Sequence, residues 1–493
     1  MKYLMLIAIA FPVVWGACLP FLRFEEADRS SRNKYALTGA LITSVLVFVN
    51  VFNFKSNDGF QLIQLTDKMS IVFDIDALSC VFLCMIAVLW PLAVLYAWEY
   101  MHHEGRENKF FSFYLMTYGI VIGLACSANL VTFYLLYECL TFATIPLVMH
   151  AMDRRAIKAG RKYFMYSIAG AATAFVGIMF LVEYGTSLDF VYGGTLDLVK
   201  IGSQQNLILL GYILTFFGFG VKAAVFPFHG WLPSAGVAPT PVTALLHAVA
   251  VVKAGVFAIM RVTYYSFGAA FLAGTWAQSI VLGFACFTIV FGSVCAWKQQ
   301  HLKRRFAYST ISNLSYILLG VGMMCPEGLA AGLAHMLIHG IMKICLFFCV
   351  GVVMEKTHRE YVPEIEGMGK VMPVTFGCFT VGALSLSGIP LFAGFISKAA
   401  LGTASVSSGL PLGLVGLCAL LISAVLTAAY TFEIVIKAFF PSKGFNTRTL
   451  CEFKDPSWQM KTPLIVLSVL MILIGLHGTE LMNLLSKIAM NLL

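Results

Sequence analysis

Four lysines stand where lysine is unfavourable. Lys222, Lys253, Lys343 and Lys398 each lie well inside a long apolar run. A cation at the centre of a membrane helix costs about 2.5–3.5 kcal/mol on insertion scales, so such residues usually line a wet cavity or pair with one another. Their acidic counterpart is Glu138, isolated in LVTFYLLYECLTFATIPLV (130–148). Pairing with a buried lysine would lower the desolvation cost of both charges. His335, His339 and Lys343 follow at i, i+4 and i+8, which sets them on one helical stripe. His247 and Lys253 read as sharing another helix, six residues apart. Imidazole titrates near neutral pH, and lysine changes its proton affinity readily when buried, so alternating His and Lys suits the passing of protons. A large organic solute would find little to bind. The pair in HMLIH has metal-ligand spacing, but lysine follows on the stripe, no acidic ligand is near and H-E-x-x-H is absent, so no metal is expected.

Two stretches interrupt the helices that carry these groups. In GFGVKAAVFPFHGWLPSAGVAPTPV (218–242), Lys222 precedes Pro227, Pro233, Pro239 and Pro241. In SLSGIPLFAGFISKAAL (385–401), Lys398 follows Gly388, Pro390 and Gly394. Proline and glycine free backbone groups that lipid cannot satisfy, so such breaks persist where protein or water surrounds them. Paired Gly/Pro-interrupted segments in two halves of a chain point to the ion site of transporters built from inverted repeats.

The elements that must hold these residues follow from composition. Of 493 residues, 59% are apolar and only 12% charged, and the mean hydropathy is +0.86. That excludes a soluble globular enzyme, a disordered chain and a protein that binds nucleic acid through a basic surface. The runs are too long and too continuous for a β-barrel. Long apolar runs at about 3–22, 35–53, 71–98, 110–127, 130–150, 163–183, 207–228, 241–265, 275–297, 306–324, 329–354, 373–400, 410–436 and 462–484 predict fourteen helical spans. The first has one lysine before it and no A-x-A site after it, so it reads as a retained helix. Loops after odd-numbered spans carry 23 Lys and Arg, against 6 in the even loops and at the termini. This asymmetry predicts cytoplasmic odd loops and both termini outside, and accounts for the net charge of +9. Glu433 and Lys437 read as an interfacial pair, and Asp74 and Asp76 as a helix start. Thirteen cysteines include no C-x-x-C; Cys80/Cys84 and Cys345/Cys349 read as small buried hydrophobes. No iron–sulfur or haem pattern is present, so no cofactor is expected and any electrons would travel in other subunits.

Five segments carry a resemblance. PFHGWLPSAGVAPTPVTALLHAVAVVKAGVFAIMR (227–261), KRRFAYSTISNLSY (303–316), HMLIHGIMKICLFF (335–348), SGIPLFAGFISK (387–398) and FDIDALSCVF (73–82) are similar to signature segments of the antiporter-like subunits of respiratory complex I, Mrp-type cation/proton antiporters and membrane-bound hydrogenases. The resemblance implies an all-α polytopic fold of about fourteen transmembrane helices, with two inverted five-helix repeats (spans 4–8 and 9–13) and discontinuous spans 7 and 12. It also implies that Glu138 and Lys222 form the family's acid–lysine site, and that His247 and Lys253 form the span 8 relay. His335 and His339 would be the span 11 histidines, and Lys398 the terminal ionisable residue of span 12. Ser234, His301 and Ala399 depart from the acidic residues many relatives carry there.

The expected organisation is N-terminal spans over 1–109, a first repeat over 110–266, a second over 267–440, and a cytoplasmic loop with a last span over 441–493. The expected function is that of a proton-translocating membrane subunit of a redox-driven, multi-subunit pump of the complex I or energy-converting hydrogenase type, with no redox centre of its own. Its partners would be other membrane subunits, further antiporter-like ones among them, peripheral redox subunits, protons or sodium, and the bilayer, with no nucleic acid. It would lie in the inner (plasma) membrane of a prokaryote. Two alternatives stand beside this: a component of an Mrp-type sodium/proton antiporter, and a passive membrane scaffold.

Overall fold

An apolar run in lipid has no solvent for its backbone, so it closes its hydrogen bonds internally as a helix. The computed structural model of the chain describes residues 2–22, 24, 28–53, 59–66, 69–443, 445 and 450–492. Helices dominate these residues. The first half contains α1 (Lys2–Cys18), α2 (Arg29–Phe52), α3 (Ala77–Tyr100), α4 (Glu107–Ala125), α5 (Leu130–Val148), α6 (Arg154–Tyr184), α7 (Leu198–Ile201), α8 (Gln205–Gly220), α9 (Trp231–Ser234), α10 (Thr240–Ala248) and α11 (Val251–Arg261). The second contains α12 (Ala269–Leu272), α13 (Trp276–Lys298), α14 (Leu302–Gly322), α15 (Pro326–Thr357), α16 (Pro373–Ser387), α17 (Ala393–Ser407), α18 (Pro411–Phe439), α19 (Trp458–Leu476) and α20 (Gly478–Ala489). Among the described residues ten helical segments are long and apolar enough to cross a membrane, and Gln205–Gly220 and Pro373–Ser387 are shorter apolar helices. The chain is a multi-pass, predominantly α-helical membrane protein.

Local chemistry sets the helix starts. Asn129 and Asp153 cap α5 and α6 by accepting from the backbone N–H of Thr132 and Ala156. Pro326, Pro373 and Pro411 open α15, α16 and α18, where a missing N–H costs nothing. The longest of these, α15, runs unbroken for 32 residues and is almost wholly buried. It packs against α3, α10, α14, α16, α17, α19 and α20.

The structure corrects several expectations. A two-stranded antiparallel hairpin, β1 (Phe60–Thr66) and β2 (Met69–Phe73), precedes α3, so the run expected from residue 71 begins as strand and turns helical only at Ala77. Its β-branched and aromatic residues pair, and Asp76 then starts the helix. The last run is not one helix either. It ends at Leu476, and after His477 the chain continues as α20, which buries Leu485, Ile488 and Ala489 while exposing Glu480 and Lys487. His247 and Lys253 do not share one helix: Val249 and Ala250 N–H both turn to the Leu245 carbonyl, at 3.0 and 2.9 Å, and this wide turn divides α10 from α11. Arg23, Lys55, Lys68 and Arg448, counted among the loop charges, and the side chain of Lys2 lie outside the described residues.

Asp76 does cap α3, accepting from Ser79 N–H at 2.8 Å. It also receives both arms of Arg261, at 2.5 and 2.7 Å. Arg261, counted in the sequence as an outer-face charge near a helix end, is only 2% exposed, and its guanidinium lies among the rings of Phe190, Phe257 and Tyr265 at 4.8–5.1 Å. The pair fastens the start of α3 to the end of α11. Asp76→Ala would leave a buried guanidinium without its anion and is expected to cost about 3 kcal/mol. Asp76→Ala with Arg261→Leu should recover part of that loss, as read from thermal unfolding of the purified protein in detergent.

Candidate functional site

The two helix breaks set the geometry of the site. α8 ends at Gly220, and Lys222 lies in the irregular segment beyond it. Pro227 precedes a 3₁₀ turn (Phe228–Gly230), Pro233 lies within α9, and Pro239 stands just before α10. The Trp231 indole satisfies one freed carbonyl, donating to Val221 at 2.7 Å. Gly255 of α11 backs this break so closely that a Cβ there would come 2.5 Å from the Ala223 nitrogen. The second break opens where α16 stops at Ser387. Gly388 takes φ +84°, a left-handed helix stop suited to glycine. Pro390 follows, and α17 then carries Lys398 back to the break.

Each lysine meets a neutral acceptor. Lys222 is fully buried, donates to the backbone carbonyl of Tyr137, and lies 3.4 Å from the centroid of the Tyr137 ring. The expected contact pair with Glu138 is not formed. Among the described residues the two make no ion pair within 4 Å, and Oε1 of Glu138 has no hydrogen-bond partner. They do interact through space. Neighbours on a helix diverge by about 100°: α5 offers its Tyr137 carbonyl and ring to Lys222 and turns the half-buried Glu138 toward the edge of the molecule.

The second cluster lies between α11, α14, α15 and α17. Lys253 Nζ approaches His339 Nδ1 at 2.7 Å, and the His335 and His339 rings are 5.8 Å apart. His335 meets Ser397 Oγ at 2.9 Å through Nδ1 and Asn313 Oδ1 at 3.3 Å through Nε2. Lys343 donates to Ser309 Oγ at 2.6 Å and the Phe306 carbonyl at 3.3 Å. Lys398 donates to the Leu386 carbonyl at 2.7 Å and stands 5.4 Å from the Tyr316 ring centre. His247 is fully buried with no hydrogen-bond partner on either nitrogen among the described residues. The structure thus brings Lys253, His335, His339 and Lys343 together, with Lys222 and Glu138 beyond one end and Lys398 beyond the other. Among the described residues no direct hydrogen bond joins Lys222 to His247 or Lys253.

The sequence predicts α14 as a span (306–324) but not the polar side chains it brings to this cluster. α14 presents Ser309 to Lys343, Asn313 to His335 and Tyr316 to Lys398. Their i, i+4, i+7 spacing is a polar stripe that KRRFAYSTISNLSY does display. Tyr316 and Ser309 extend the network through Ser423 (2.7 Å) and Tyr430 (2.6 Å) of α18. Glu433 forms the expected pair with Lys437 at 2.9 Å and also takes the buried Arg305 at 2.8 Å. No cluster of three or more His, Cys, Asp or Glu suited to a metal occurs among the described residues.

A sequence profile described as NADH:quinone oxidoreductase/Mrp antiporter, transmembrane, matches residues 127–427. A second, for the N-terminus of complex I chain 5, matches residues 63–111. The chain belongs to this family of antiporter-like membrane subunits. It is similar to the chloroplastic NAD(P)H-quinone oxidoreductase subunit 5 of Chara vulgaris, at 31% identity over 93% of this chain and 72% of that one. It is also similar to a Na(+)/H(+) antiporter subunit from Alkalihalophilus pseudofirmus, at 30% identity over 78% of this chain; the match spans about half (49%) of that longer protein. The fold matches a chain of respiratory complex I from Thermus thermophilus, with a TM-score of 0.80, 21% identity, and coverage of 98% and 99%.

A Cβ on Gly394 would fall 1.8 Å from the Ser385 carbonyl oxygen, whereas one on Gly377 meets nothing within 4 Å. Gly394→Ala must therefore push α17, and Lys398 with it, away from the break. It is expected to destabilise the protein by about 1–3 kcal/mol, with Gly377→Ala unchanged, as measured by thermal unfolding monitored by size-exclusion chromatography.

Proposed function

We propose that this chain is the proton-translocating, antiporter-like membrane subunit of a redox-driven pump of the complex I or energy-converting hydrogenase type. One observation carries the reading: lysines and histidines inside the helix bundle are strung between two helix breaks, and all but His247 meet a neutral partner that leaves them free to change protonation. Protons load at Lys222 beside Glu138, pass His247 and Lys253, enter the α15 stripe of Lys343, His339 and His335, and leave from its His335 end by Lys398. A carboxylate nearby favours the ammonium and burial disfavours it, so movement of Glu138 relative to Lys222 switches the load. Glu138 and Lys398 are both only half-buried in the isolated chain. A titratable group at the edge of the molecule in lipid needs cover, and neighbouring membrane subunits, including further antiporter-like ones, supply it.

The same reading takes the chain as fourteen spans with two inverted five-helix repeats, spans 4–8 (110–266) and 9–13 (267–440), between N-terminal spans (1–109) and a final loop and span (441–493). In this reading α4, α8 and α14, with α16 and α17 as the two halves of span 12, are the four spans beyond the ten long apolar ones. The basic loops face the cytoplasm of a prokaryotic cell whose plasma membrane holds the chain, and both termini lie outside. Peripheral redox subunits drive the transport.

Membership of an Mrp-type sodium/proton antiporter is the second reading, favoured by the likeness to the Alkalihalophilus antiporter protein. Co-purifying subunits identified by mass spectrometry separate the two: redox-centre subunits for the first, small membrane proteins alone for the second. Lys222→Met in the assembled complex is expected to lower proton translocation into inverted membrane vesicles at least tenfold, read by quenching of an acridine dye. A wild-type rate in that variant defeats the proposal and leaves a passive scaffold.

A further inference from the structure

The basic loop after α13 contains a lysine that does not behave as a loop charge. Lys303 lies in the first turn of α14 and is 5% exposed. Its ammonium donates to the Ala238 carbonyl at 3.0 Å, inside the first helix break. Its position is fixed by a backbone seam: Leu302 N–H donates to the Glu360 carbonyl, and Val362 N–H to the Gln300 carbonyl, both at 2.9 Å. Two exposed carboxylates act on it through space, Glu104 from the α3–α4 connection and Glu360 from the α15–α16 connection. Glu360 also meets His301 at 3.3 Å. Other charges nearby are paired elsewhere, Arg305 with Glu433, Lys356 with Glu99 and Glu355, and His103 with Glu355, while Arg304 beside Lys303 is exposed.

On its inner side Lys303 leads toward the buried line. The Ala238 carbonyl also accepts from Thr243 at 3.0 Å, and Thr243 stands one turn before His247 on α10. His247 interacts through space with both Lys303 and Lys343, and neither of its nitrogens is hydrogen-bonded among the described residues. On α14, Phe306 lies one turn from Lys303, and its carbonyl is a partner of Lys343.

We propose that Lys303 is the proton-uptake residue of the basic face, taking protons collected by Glu104 and Glu360 and handing them to His247 for loading at Lys222. The proposal rests on the translocation reading above and deepens it. In the first transfer an O–H bond of a protonated carboxyl breaks as an N–H bond forms on the neutral Lys303 amine. In the second, the Lys303 ammonium loses that proton to an imidazole nitrogen of His247 and returns to the amine. The Ala238 carbonyl accepts an N–H from either form, so neither transfer leaves it without a donor.

The test is made in the assembled complex, in inverted membrane vesicles, with Lys222→Met measured alongside. Lys303→Arg keeps a cation and its donors but cannot release a proton at physiological pH. It is expected to lower proton translocation at pH 8 at least tenfold. Lys303→His is expected to retain translocation with its optimum moved to lower pH. A wild-type rate and pH profile in Lys303→Arg overturns the proposal, because a fixed charge then suffices. Should Lys303→Arg fail to assemble, the exposed double change Glu104→Gln with Glu360→Gln decides: slowed uptake at pH 8 supports the proposal, and an unchanged rate overturns it. If Lys222→Met also pumps at the wild-type rate, the translocation reading itself has failed; if Lys222→Met is inactive and Lys303→Arg is not, only the uptake role has.

Discussion

The structure depends on how a buried ammonium is solvated without an anion. Lys222, Lys343, Lys398 and Lys303 all donate to backbone carbonyls, of Tyr137, Phe306, Leu386 and Ala238 respectively, and Lys253 faces an imidazole. A carbonyl offsets part of the desolvation of the charged form and is equally able to accept from the neutral amine. A carboxylate in contact would hold the proton on the lysine and remove the reversibility that transport needs. Lys398 shows where such carbonyls come from: Leu386 lies in the last turn of α16, where helix termination releases acceptors. For Lys398 and Lys303 the breaks are therefore part of the solvation shell, whereas Lys222 and Lys343 take carbonyls from within α5 and α14.

Contact ion pairs are used elsewhere, by arginine and lysine alike. Arg261 with Asp76, Arg305 with Glu433, and Lys356 with Glu99 lie toward helix ends and join elements distant in sequence. Arginine keeps its charge at any physiological pH, and its fork fits a carboxylate. The chain thus divides two tasks by surroundings: a cation against a carboxylate toward helix ends for fastening, a buried lysine against a neutral oxygen or nitrogen for exchange.

The sequence makes the helices legible because lipid allows few alternatives to them, and it makes the four lysines legible because they violate the composition around them. The breaks at 221–230 and 388–392 are announced by proline and glycine. The division of α10 from α11 is not, since Val249 and Ala250 are ordinary helix residues there; the close approach of Gly255 to Ala223 is a tertiary fact. Lys303, Arg261 and Arg305 count as loop charges in the sequence because their burial depends on which loops fold over them. Ser309, Asn313 and Tyr316 escape notice there because hydroxyls and amides in a membrane helix do not stand out as charges do. Glu138 is legible as an exception, but its partner is not, because turning one residue along α5 exchanges a carboxylate for a carbonyl.

The unbroken course of α15 has a mechanical meaning. With a rise of 1.5 Å per residue, His335, His339 and Lys343 are spaced along its axis by about 6 Å each, and seven other helices grip that rod along its length. Whatever rocks at the two breaks, these three stations keep their separation, like marks on a ruler. In the proposed transport the middle of the molecule would serve as a stator, with any moving parts on its flanks.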